Sequence, residues 1–392
     1  MKVMSVVSLV PSKHGSFEEY TITMTRRLAA AGDESILVFR SEPPAHLRTL
    51  YDGAVLESKP FGSFDLESGK RLYALIRKHR PDIVHLHFVP LLSCDVVAAR
   101  LATSTKVVFS NHNSDIPKRR SLPKRVLLKV ANRMMSSLMD LTITPSNYVK
   151  RRVVRDGTKA CKVATIHNGV ALERFRGQRE STQVLQSLGV ERRTLVVLSV
   201  SQVIPEKGIG VLIEAANLVR KTGADVAFVH VGTGPFLEQY KSRVSSLDLD
   251  DRFHFTGLLN LPEIAELLKL SDVCTLPCTW GEAFALSILE GLAAGKPVIV
   301  SNVGGNPEAV SDGENGLTVP PNDPHELARA ILKLYENPAL RARMANESLR
   351  RSSYFSVSRW VDETILQYRR LLGLPRVEAA AEPAKAQAAA HR

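Results

Sequence analysis

The feature that most constrains this chain is a repeated unit, in which a short apolar strand leads through a glycine-containing or polar turn into a helix. In the first unit, the strand 2–9 is followed by Gly15 and by a helix that is predicted to begin at Ser16 and end at Gly32. Ser16 and Glu19 have the spacing of a capping box. Because such units recur along the chain, we predict an α/β protein built from doubly wound parallel sheets.

The length of 392 residues exceeds what one hydrophobic core usually serves, so two sheets in two domains are predicted. No apolar run reaches the ~18 residues that a membrane-spanning helix needs, and the N-terminal apolar run is interpreted as a strand rather than a signal peptide. The predicted segments are a first domain (1–172), a linker (173–193), a second domain (194–356), a closing helix (357–373) and a low-complexity, disordered tail (374–392).

Metal binding is not predicted. The four cysteines are scattered, as in proteins of a reducing cytoplasm, and Cys274 and Cys278 belong to a strand. His85 and His87 share one face of the strand 83–88, but no third ligand is in view, so we interpret them as structural histidines.

The excess of positive over negative charge is confined to the first half of the chain. Residues 1–175 carry a net charge of +13, whereas residues 176–392 carry −1. The segment 117–139 contains seven basic residues, and Leu127, Val130 and Met134 lie at helical spacing within it. This pattern fits either a helix that lies on an anionic membrane or a domain helix with a solvated basic face. Nucleic-acid binding is not predicted, because no basic-aromatic platform is visible.

The segment 280–300 reads as a polar loop, a helix, a glycine stop at Gly295 and a buried strand. Glu282 precedes the helix and Glu290 lies two turns into it, a separation of ~12 Å along a helix. That distance exceeds the ~5 Å between the carboxyl groups of a retaining glycosidase. The two carboxylates instead fit opposite ends of an extended ligand, with phosphate at the helix N-terminus between them.

Other candidate ligand-binding residues follow predicted strands. Lys207 stands at the mouth of a helix, Gly304 and Gly305 form a turn, and His112 follows the strand 106–110. Since the carboxyl ends of parallel strands meet at one sheet edge, the second-half groups converge there. A cation, a helix N-terminus, two carboxylates and glycines suit a nucleoside diphosphate-sugar.

These residues resemble the motifs of family-4 glycosyltransferases, also called glycosyl transferases group 1, over about residues 1–372. The E-x7-E motif stands as Glu282 to Glu290, followed by Gly295-Lys296-Pro297-Val298. Further matches are Gly304-Gly305-Asn306-Pro307-Glu308, Asn168-Gly169-Val170 and Lys207-Gly208. The resemblance implies the GT-B fold, two Rossmann-like domains that face a cleft, with the acceptor side in the first and the donor side in the second.

The resemblance also implies roles for single residues. Glu290 is expected to bind ribose, while Glu282 and backbone N–H groups near Ala285 and Leu286 hold the donor sugar and the leaving diphosphate. Lys207 is expected at the diphosphate. His112 is expected near the donor sugar, Gly15 beside the donor phosphates, and the last helix is expected to cross back onto the first domain.

The implied reaction is retaining transfer of a hexose-type sugar from a UDP- or GDP-sugar to an acceptor hydroxyl, without a metal or other cofactor. The basic first half suggests a polysaccharide or lipid-linked acceptor at the inner face of a membrane. Two alternatives share the fold: a nucleotide-sugar epimerase, and a nucleotide-sugar-binding protein with weak catalysis.

Four positions depart from the family pattern. Ser201-Gln202 replaces the usual Gly-Arg, and glutamine brings no charge to the diphosphate. Ser16 follows Gly15 where a second glycine is common, His167 replaces a proline, and Ala283 replaces a frequent glycine. Gln202 is the departure that motivates the weak-catalysis alternative.

Overall fold

The computed structural model describes residues 1–10, 15–59, 65–102, 105–114, 121–177, 190 and 194–375. Most of the predicted linker, the predicted disordered tail beyond residue 375, and the basic residues Lys118, Arg119 and Arg120 lie outside the described residues. The described part of the chain contains no helix that is both long and apolar enough to cross a membrane.

Seven parallel strands of the first half form one sheet in the order β3-β2-β1-β4-β5-β6-β7. Its strands are β1 (Lys2–Val7), β2 (Glu34–Phe39), β3 (Ala54–Ser58), β4 (Ile83–His87), β5 (Lys106–Ser110), β6 (Leu141–Thr144) and β7 (Val163–Thr165). The helices of this half are α1 (Ser16–Ala30), α2 (Ala45–Arg48), α3 (Leu66–His79), α4 (Cys94–Leu101), α5 (Leu122–Ser137), α6 (Asn147–Arg155) and α7 (Leu172–Phe175).

Six parallel strands of the second half form another sheet in the order β10-β9-β8-β11-β12-β13. Its strands are β8 (Leu195–Val200), β9 (Val226–Val231), β10 (Phe253–Gly257), β11 (Val273–Leu276), β12 (Val298–Ser301) and β13 (Gly316–Val319). The helices are α8 (Ile209–Arg220), α9 (Leu237–Ser246), α10 (Leu261–Leu270), α11 (Leu286–Ala293), α12 (Pro324–Glu336), α13 (Pro338–Ser352) and α14 (Val357–Leu371). The prediction of two doubly wound parallel sheets is confirmed.

Each sheet is covered on both faces. One core of the first sheet packs under α3 and α4, and the other lies under α1 and α14. The second sheet has a corresponding pair of cores. In both sheets the strand order reverses beside the first strand, between β1 and β4 and between β8 and β11. Ligands of open α/β sheets bind at such reversals, outside the carboxyl ends of the strands.

The last helix, α14, packs against the first domain. The turn before α14 pairs with Val170, whose N–H donates to the Phe355 carbonyl at 2.9 Å. Farther along α14, Trp360 stacks on Tyr20 of α1 at a ring separation of 4.0 Å. A side chain at Gly169 would collide with the Ser356 carbonyl, which explains a glycine at this crossing.

The predicted capping box of α1 is wrong by one residue. Gly15 occupies the N-cap position, and its N–H donates to Glu18 Oε2 at 3.0 Å. Because Ser16 is the first helical residue, its hydroxyl is not placed to cap, and Glu19 lies one position too far along. Glu19 instead accepts from Arg174 at 2.8 Å.

The basic helix α5 exposes its apolar residues. Leu127, Val130 and Met134 are 68%, 50% and 66% exposed. Periodicity correctly predicts the helix and its apolar face. In the described part of the chain it faces outward, beside the basic Lys124 and Lys129.

Candidate active site

A cleft of about 370 Å³ lies between the carboxyl ends of the two sheets. The first domain contributes Phe17, Phe88, His112, Pro145 and Asn168 to its walls, and α14 contributes Trp360. The second domain contributes Val200, Ser201, Gln202, Lys207 and the segment 282–287. Six of the predicted site residues therefore meet in one cavity: His112, Gln202, Lys207, Glu282, Ala285 and Leu286.

Lys207 and Glu282 form an ion pair at the centre of this cleft. Lys207 ends a tight turn after β8, and Gly208 then adopts a left-handed conformation with φ of 76°. A Cβ at position 208 would lie 1.8 Å from the Pro277 carbonyl oxygen, so only glycine allows this close approach to the loop after β11. That approach brings the lysine and the carboxylate, 75 residues apart, into contact.

Ser114 of the first domain holds the other oxygen of the same carboxylate. Its hydroxyl donates to Glu282 Oε1 at 2.9 Å and accepts from the Ala283 N–H at 3.3 Å. Sequence reasoning missed this residue, although it lies two positions after His112 in the polar turn that follows β5. A polar turn at the end of a parallel strand is the signal that identifies it.

Gly304 and Gly305 support the Glu282 loop from behind and do not line the cleft. The Gly305 N–H donates to the Glu282 carbonyl at 2.8 Å. A Cβ at Gly304 would lie 2.4 Å from that carbonyl oxygen. The structure therefore brings these two glycines to the Glu282 loop and not to the cleft itself.

The first turn of α11 faces the cleft with Leu286 and Ser287. The initial N–H groups of a helix have no intrahelical acceptors and form the positive end of its dipole. One candidate donor is already used, since the Ala285 N–H donates to Asn306 Oδ1 at 3.0 Å. An anion in the cleft would therefore meet the N–H groups that follow Ala285.

Glu290 lies farther along α11 and meets the first domain. Its carboxylate accepts a hydrogen bond from the Ser16 hydroxyl at 2.5 Å. Burial raises the pKa of Glu290, while the Ser16 hydrogen bond and the charge of Arg174 oppose the rise. Gly15 adjoins this contact but does not line the cleft. Neither Gly15 nor Glu290 forms a hydrogen bond or an ion pair with Lys207.

His112 is packed among aromatic rings on the opposite wall. Its ring stacks on Phe88 at 4.4 Å and meets the edge of Phe17 at 5.6 Å. Its Nε2 lies 3.3 Å from Nδ1 of His87. Burial lowers the pKa of His112 to about 4, so the ring is neutral at pH 7.

The two strand histidines lie behind His112. His85 bonds to Ser110 at 2.7 Å and to the Tyr368 hydroxyl at 2.5 Å, which supports the structural interpretation. Among the described residues no group of three histidine, cysteine or acidic side chains is arranged to hold a metal ion. The thiols of Cys274 and Cys278 are buried, and burial raises the pKa of each to about 12.

We expect stability to fall in mild acid because several histidines are buried in the neutral form. Burial lowers the pKa of His112 and His230 to about 4, and that of His85 and His87 well below 6.5. The unfolded chain therefore binds more protons between pH 6.5 and 4, so stability is complete above pH 6.5 and is lost as the pH falls. Each histidine contributes up to about 1.4 kcal/mol per pH unit.

Urea unfolding at pH 7.0 and 5.0 measures this loss. His112→Gln should reduce the pH dependence, whereas the same change at the exposed His46 should leave it unaltered. Equal free energies of unfolding for the wild type at the two pH values would contradict the expectation.

A second interdomain contact, missed from the sequence, joins Glu308 to the first domain. Glu308 accepts from the backbone N–H groups of Asn147 and Tyr148 at 2.9 and 2.8 Å, at the start of α6. His167 Nε2 lies 3.1 Å from the same carboxylate. Burial raises the pKa of Glu308, but the hydrogen bonds from His167 and the two N–H groups outweigh it and lower the pKa overall. The histidine that replaces a family proline is thus part of the domain contact.

Comparisons with known proteins assign this architecture, two α/β domains with a cleft between them, to the glycosyltransferases. The sequence profile of the glycosyl transferases group 1 matches residues 181–351, and that of Glycosyltransferase Family 4 matches residues 17–174. The chain belongs to the family-4 glycosyltransferases, also called glycosyl transferases group 1, and is a glycosyltransferase.

Relatives with assigned activities cover most of the chain. A GDP-mannose-dependent alpha-(1-6)-phosphatidylinositol monomannoside mannosyltransferase of Mycobacterium tuberculosis is 30% identical over 278 residues, 67% of this chain and 69% of the relative. A UDP-Gal:alpha-D-GlcNAc-diphosphoundecaprenol alpha-1,3-galactosyltransferase of Escherichia coli is 28% identical over 304 residues, 76% of this chain and 78% of the relative.

Solved structures agree in fold. A glycosyltransferase from Rickettsia africae aligns with a TM-score of 0.80 at 22% identity, over 95% of this chain and 98% of that protein. HepE from Anabaena, solved in complex with UDP-glucose, aligns with a TM-score of 0.77 at 21% identity, over 94% of this chain and all of that protein. The GT-B architecture expected from the sequence is confirmed.

Proposed function

We propose that this glycosyltransferase transfers a hexose from a UDP- or GDP-sugar to a hydroxyl of a lipid-linked or polysaccharide acceptor, with retention at the anomeric carbon. The observation that carries the proposal is the interdomain cleft in which Lys207, Glu282 and the first turn of α11 converge. The two relatives described above are named for UDP- and GDP-linked donors and for lipid acceptors.

The diphosphate is assigned to Lys207, Gln202 and the first turn of α11. An ammonium group and a helix N-terminus stabilise the negative charge that develops on the leaving diphosphate. This pair makes a dedicated metal ion unnecessary in our proposal, and full activity in excess EDTA is the expected result. Glu290 is assigned to the ribose hydroxyls, close to the loop that contains Gly15.

The donor sugar is assigned to the space between Glu282 and His112. Glu282, held by Lys207 and Ser114, accepts from sugar hydroxyls. The neutral His112 ring, packed on Phe88, forms the facing wall. In the transfer, the bond from the anomeric carbon to the diphosphate oxygen breaks and a bond to the acceptor oxygen forms on the same face. The acceptor proton passes to the leaving phosphate.

A screen of UDP- and GDP-sugars tests the proposal. A matching donor should raise the melting temperature, since a ligand at a hundred times its Kd adds ~2.7 kcal/mol of stability. With an acceptor, the donor should be consumed and the anomeric configuration kept, as measured by NMR. Formation of a free epimer from donor alone would favour an epimerase, and binding without turnover by any acceptor would favour a binding protein.

Gln202→Arg should strengthen donor binding. Gln202 lines the cleft and is exposed to it, so a longer cationic side chain has room to reach the diphosphate. A charge-assisted hydrogen bond contributes about 1.5–3 kcal/mol, which predicts a Kd for UDP or GDP lower by about tenfold or more.

Calorimetric titration of the nucleotide measures this change, with Gln202→Met as the matched control of similar length and no charge. An unchanged Kd in the arginine variant would place the diphosphate elsewhere.

The exposed face of α5 supports a peripheral position at the inner face of an anionic membrane. Apolar residues and lysines or arginines on one exposed helix are the combination that binds such surfaces. Changing Lys124, Arg125, Lys129 and Arg133 to glutamine should weaken binding to phosphatidylglycerol vesicles in a sedimentation assay. Binding equal to that of the wild type would contradict this assignment, and the exposed Lys221, Lys241, Arg329 and Arg343 changed together serve as the control.

A further inference from the structure

A groove of about 670 Å³ opens on the outer surface of the first domain, away from the cleft residues already described. One face of each of two helices forms its walls. Helix α3 presents Leu66, Gly69 and Tyr73, and α4 presents Val97, Ala98 and Leu101. The α3 residues are spaced i, i+3 and i+7, and the α4 residues are spaced i, i+1 and i+4. Each set therefore lies on one face of its helix.

The walls are more apolar than an ordinary solvent-facing surface. Leu66 and Leu101 are 71% and 70% exposed, and Tyr73 and Val97 are exposed beside them. Single exposed apolar side chains are common, but a contiguous concave patch of this kind marks a binding surface.

The groove is held open by a buried network beneath it. Lys59 Nζ lies 2.9 Å from Asp95 Oδ1 on α4 and 2.6 Å from the Ser68 hydroxyl on α3. At Gly69 a Cβ would lie only 3.0 Å from the Cys94 Cβ, so the two helices touch at the floor. Because the helices touch at the small residue Gly69 and are joined by the buried network, the groove between them is already formed without a ligand.

One basic side chain belongs to the groove, and further basic side chains lie on the helix that completes a wall. Lys70 belongs to its lining, and Met135 of α5 completes a wall. Helix α5 also exposes Lys124, Arg125 and Lys129 next to its apolar residues. This arrangement complements an amphiphile with an anionic head. It disfavours a second copy of this chain, which would bring the same basic helix to the contact.

One loop contributes residues to both the groove and the cleft. The loop between β4 and α4 lines both cavities, since Phe88 belongs to the cleft while Leu92 and Ser93 belong to the groove. In the cleft, Phe88 of this loop stacks on His112, so the loop joins the groove to the wall that contains His112.

We propose that the groove between α3 and α4 binds one hydrocarbon chain of the anionic lipid that carries the acceptor. The chain lies between the two apolar walls, and the basic side chains of Lys70 and α5 face the anionic head. The acceptor part of this inference rests on the proposed function, whereas binding of the chain does not.

Calorimetric titration of the full-length protein with dodecyl phosphate, below its micelle-forming concentration, tests the groove. Each buried methylene strengthens binding by about fourfold, so octyl phosphate should bind more than tenfold more weakly than dodecyl phosphate. Val97→Trp, which fills the groove, should weaken binding of dodecyl phosphate at least tenfold. Val55→Trp is the matched control, because Val55 is a similarly exposed valine of the same domain outside the groove.

Thiol labelling gives a second measurement that requires no change in the groove. Cys94 lines it, while Cys161 is exposed elsewhere and is changed to serine. Dodecyl phosphate should slow maleimide labelling of Cys94, and inorganic phosphate should not. Unslowed labelling, or equal binding by the Val97→Trp variant, would overturn the proposal. A concentration-dependent dimer that Val97→Trp abolishes would instead assign the groove to a second copy.

Sugar transfer to a short, chain-free acceptor separates the two proposals. Val97→Trp should retain this activity. If the wild type binds dodecyl phosphate but transfers no sugar from any donor, the proposed function fails and the groove remains. If it transfers sugar but binds no alkyl phosphate, the groove proposal alone fails.

Discussion

Lys207→Met is expected to lower kcat by about 10²–10³-fold, the range found when one preorganised group that stabilises developing charge is removed. The lysine is the cation that lines the cleft beside Glu282 and the first turn of α11. Without it the leaving diphosphate keeps only the helix N-terminus and neutral donors. Initial rates with a saturating donor, together with the nucleotide Kd, measure the loss.

Two further variants make this result specific. Lys207→Arg keeps the charge with a different geometry, so partial activity is expected. Lys221→Met removes a solvent-exposed lysine at the end of α8 and should leave kcat unchanged. A Lys207→Met enzyme with kcat near the wild-type value would show that the lysine serves only to hold Glu282.

Asp95→Leu is expected to destabilise the protein by about 3–5 kcal/mol, because it removes the carboxylate that faces a buried ammonium group. Both Lys59 and Asp95 are only 2% exposed. Burial already lowers the pKa of Lys59, and the hydrogen bond and charge of Asp95 oppose that shift. Urea unfolding at pH 7 gives the difference in free energy.

The double variant Lys59→Met with Asp95→Leu should recover most of the lost stability, since the buried charge leaves with its partner. Glu67→Gln breaks the exposed Arg71–Glu67 ion pair on α3 and should lower the free energy of unfolding by at most about 1 kcal/mol. Equal losses of unfolding free energy for Asp95→Leu and Glu67→Gln would mean that the buried ion pair stabilises the protein no more than the exposed one.

Much of the fold follows from local sequence signals. Helix α11, its left-handed stop at Gly295 with φ of 67° and the strand β12 lie where the residues predict them. The edge strands β3, β10 and β13 were not anticipated. In β10 (Phe253–Gly257) only Phe253 is buried, so the continuous apolar pattern of a central strand is absent.

Positions that follow strands were predictable on both sides of the cleft, including His112 of the first domain. Lys207, Glu282 and Leu286 follow strands of one sheet, and topology alone brings them together. Their partners depend on how the two domains meet, as in the contact of Ser114 with Glu282 across 168 residues. No local sequence pattern predicts a contact between residues so far apart in the chain. The contact between His167 and Glu308 was missed for the same reason.

The orientation of a helix is likewise not fixed by its periodicity. The spacing of Leu127, Val130 and Met134 defines one apolar face of α5, but the same spacing is found in helices that bury that face. Only the packing of the domain shows that this face points outward. That outcome links the basic half of the chain to the proposed lipid acceptor.

The location of the donor site is tested most directly by hydrogen–deuterium exchange with and without saturating UDP or GDP. Bound nucleotide should slow exchange in the turn that contains Gln202 and Lys207 and in the first turn of α11. Protection should be absent from the distant helices α3 and α5 when nucleotide alone is added. Protection confined to the first domain, with no change at Lys207 or α11, would contradict the assignment of the cleft as the donor site.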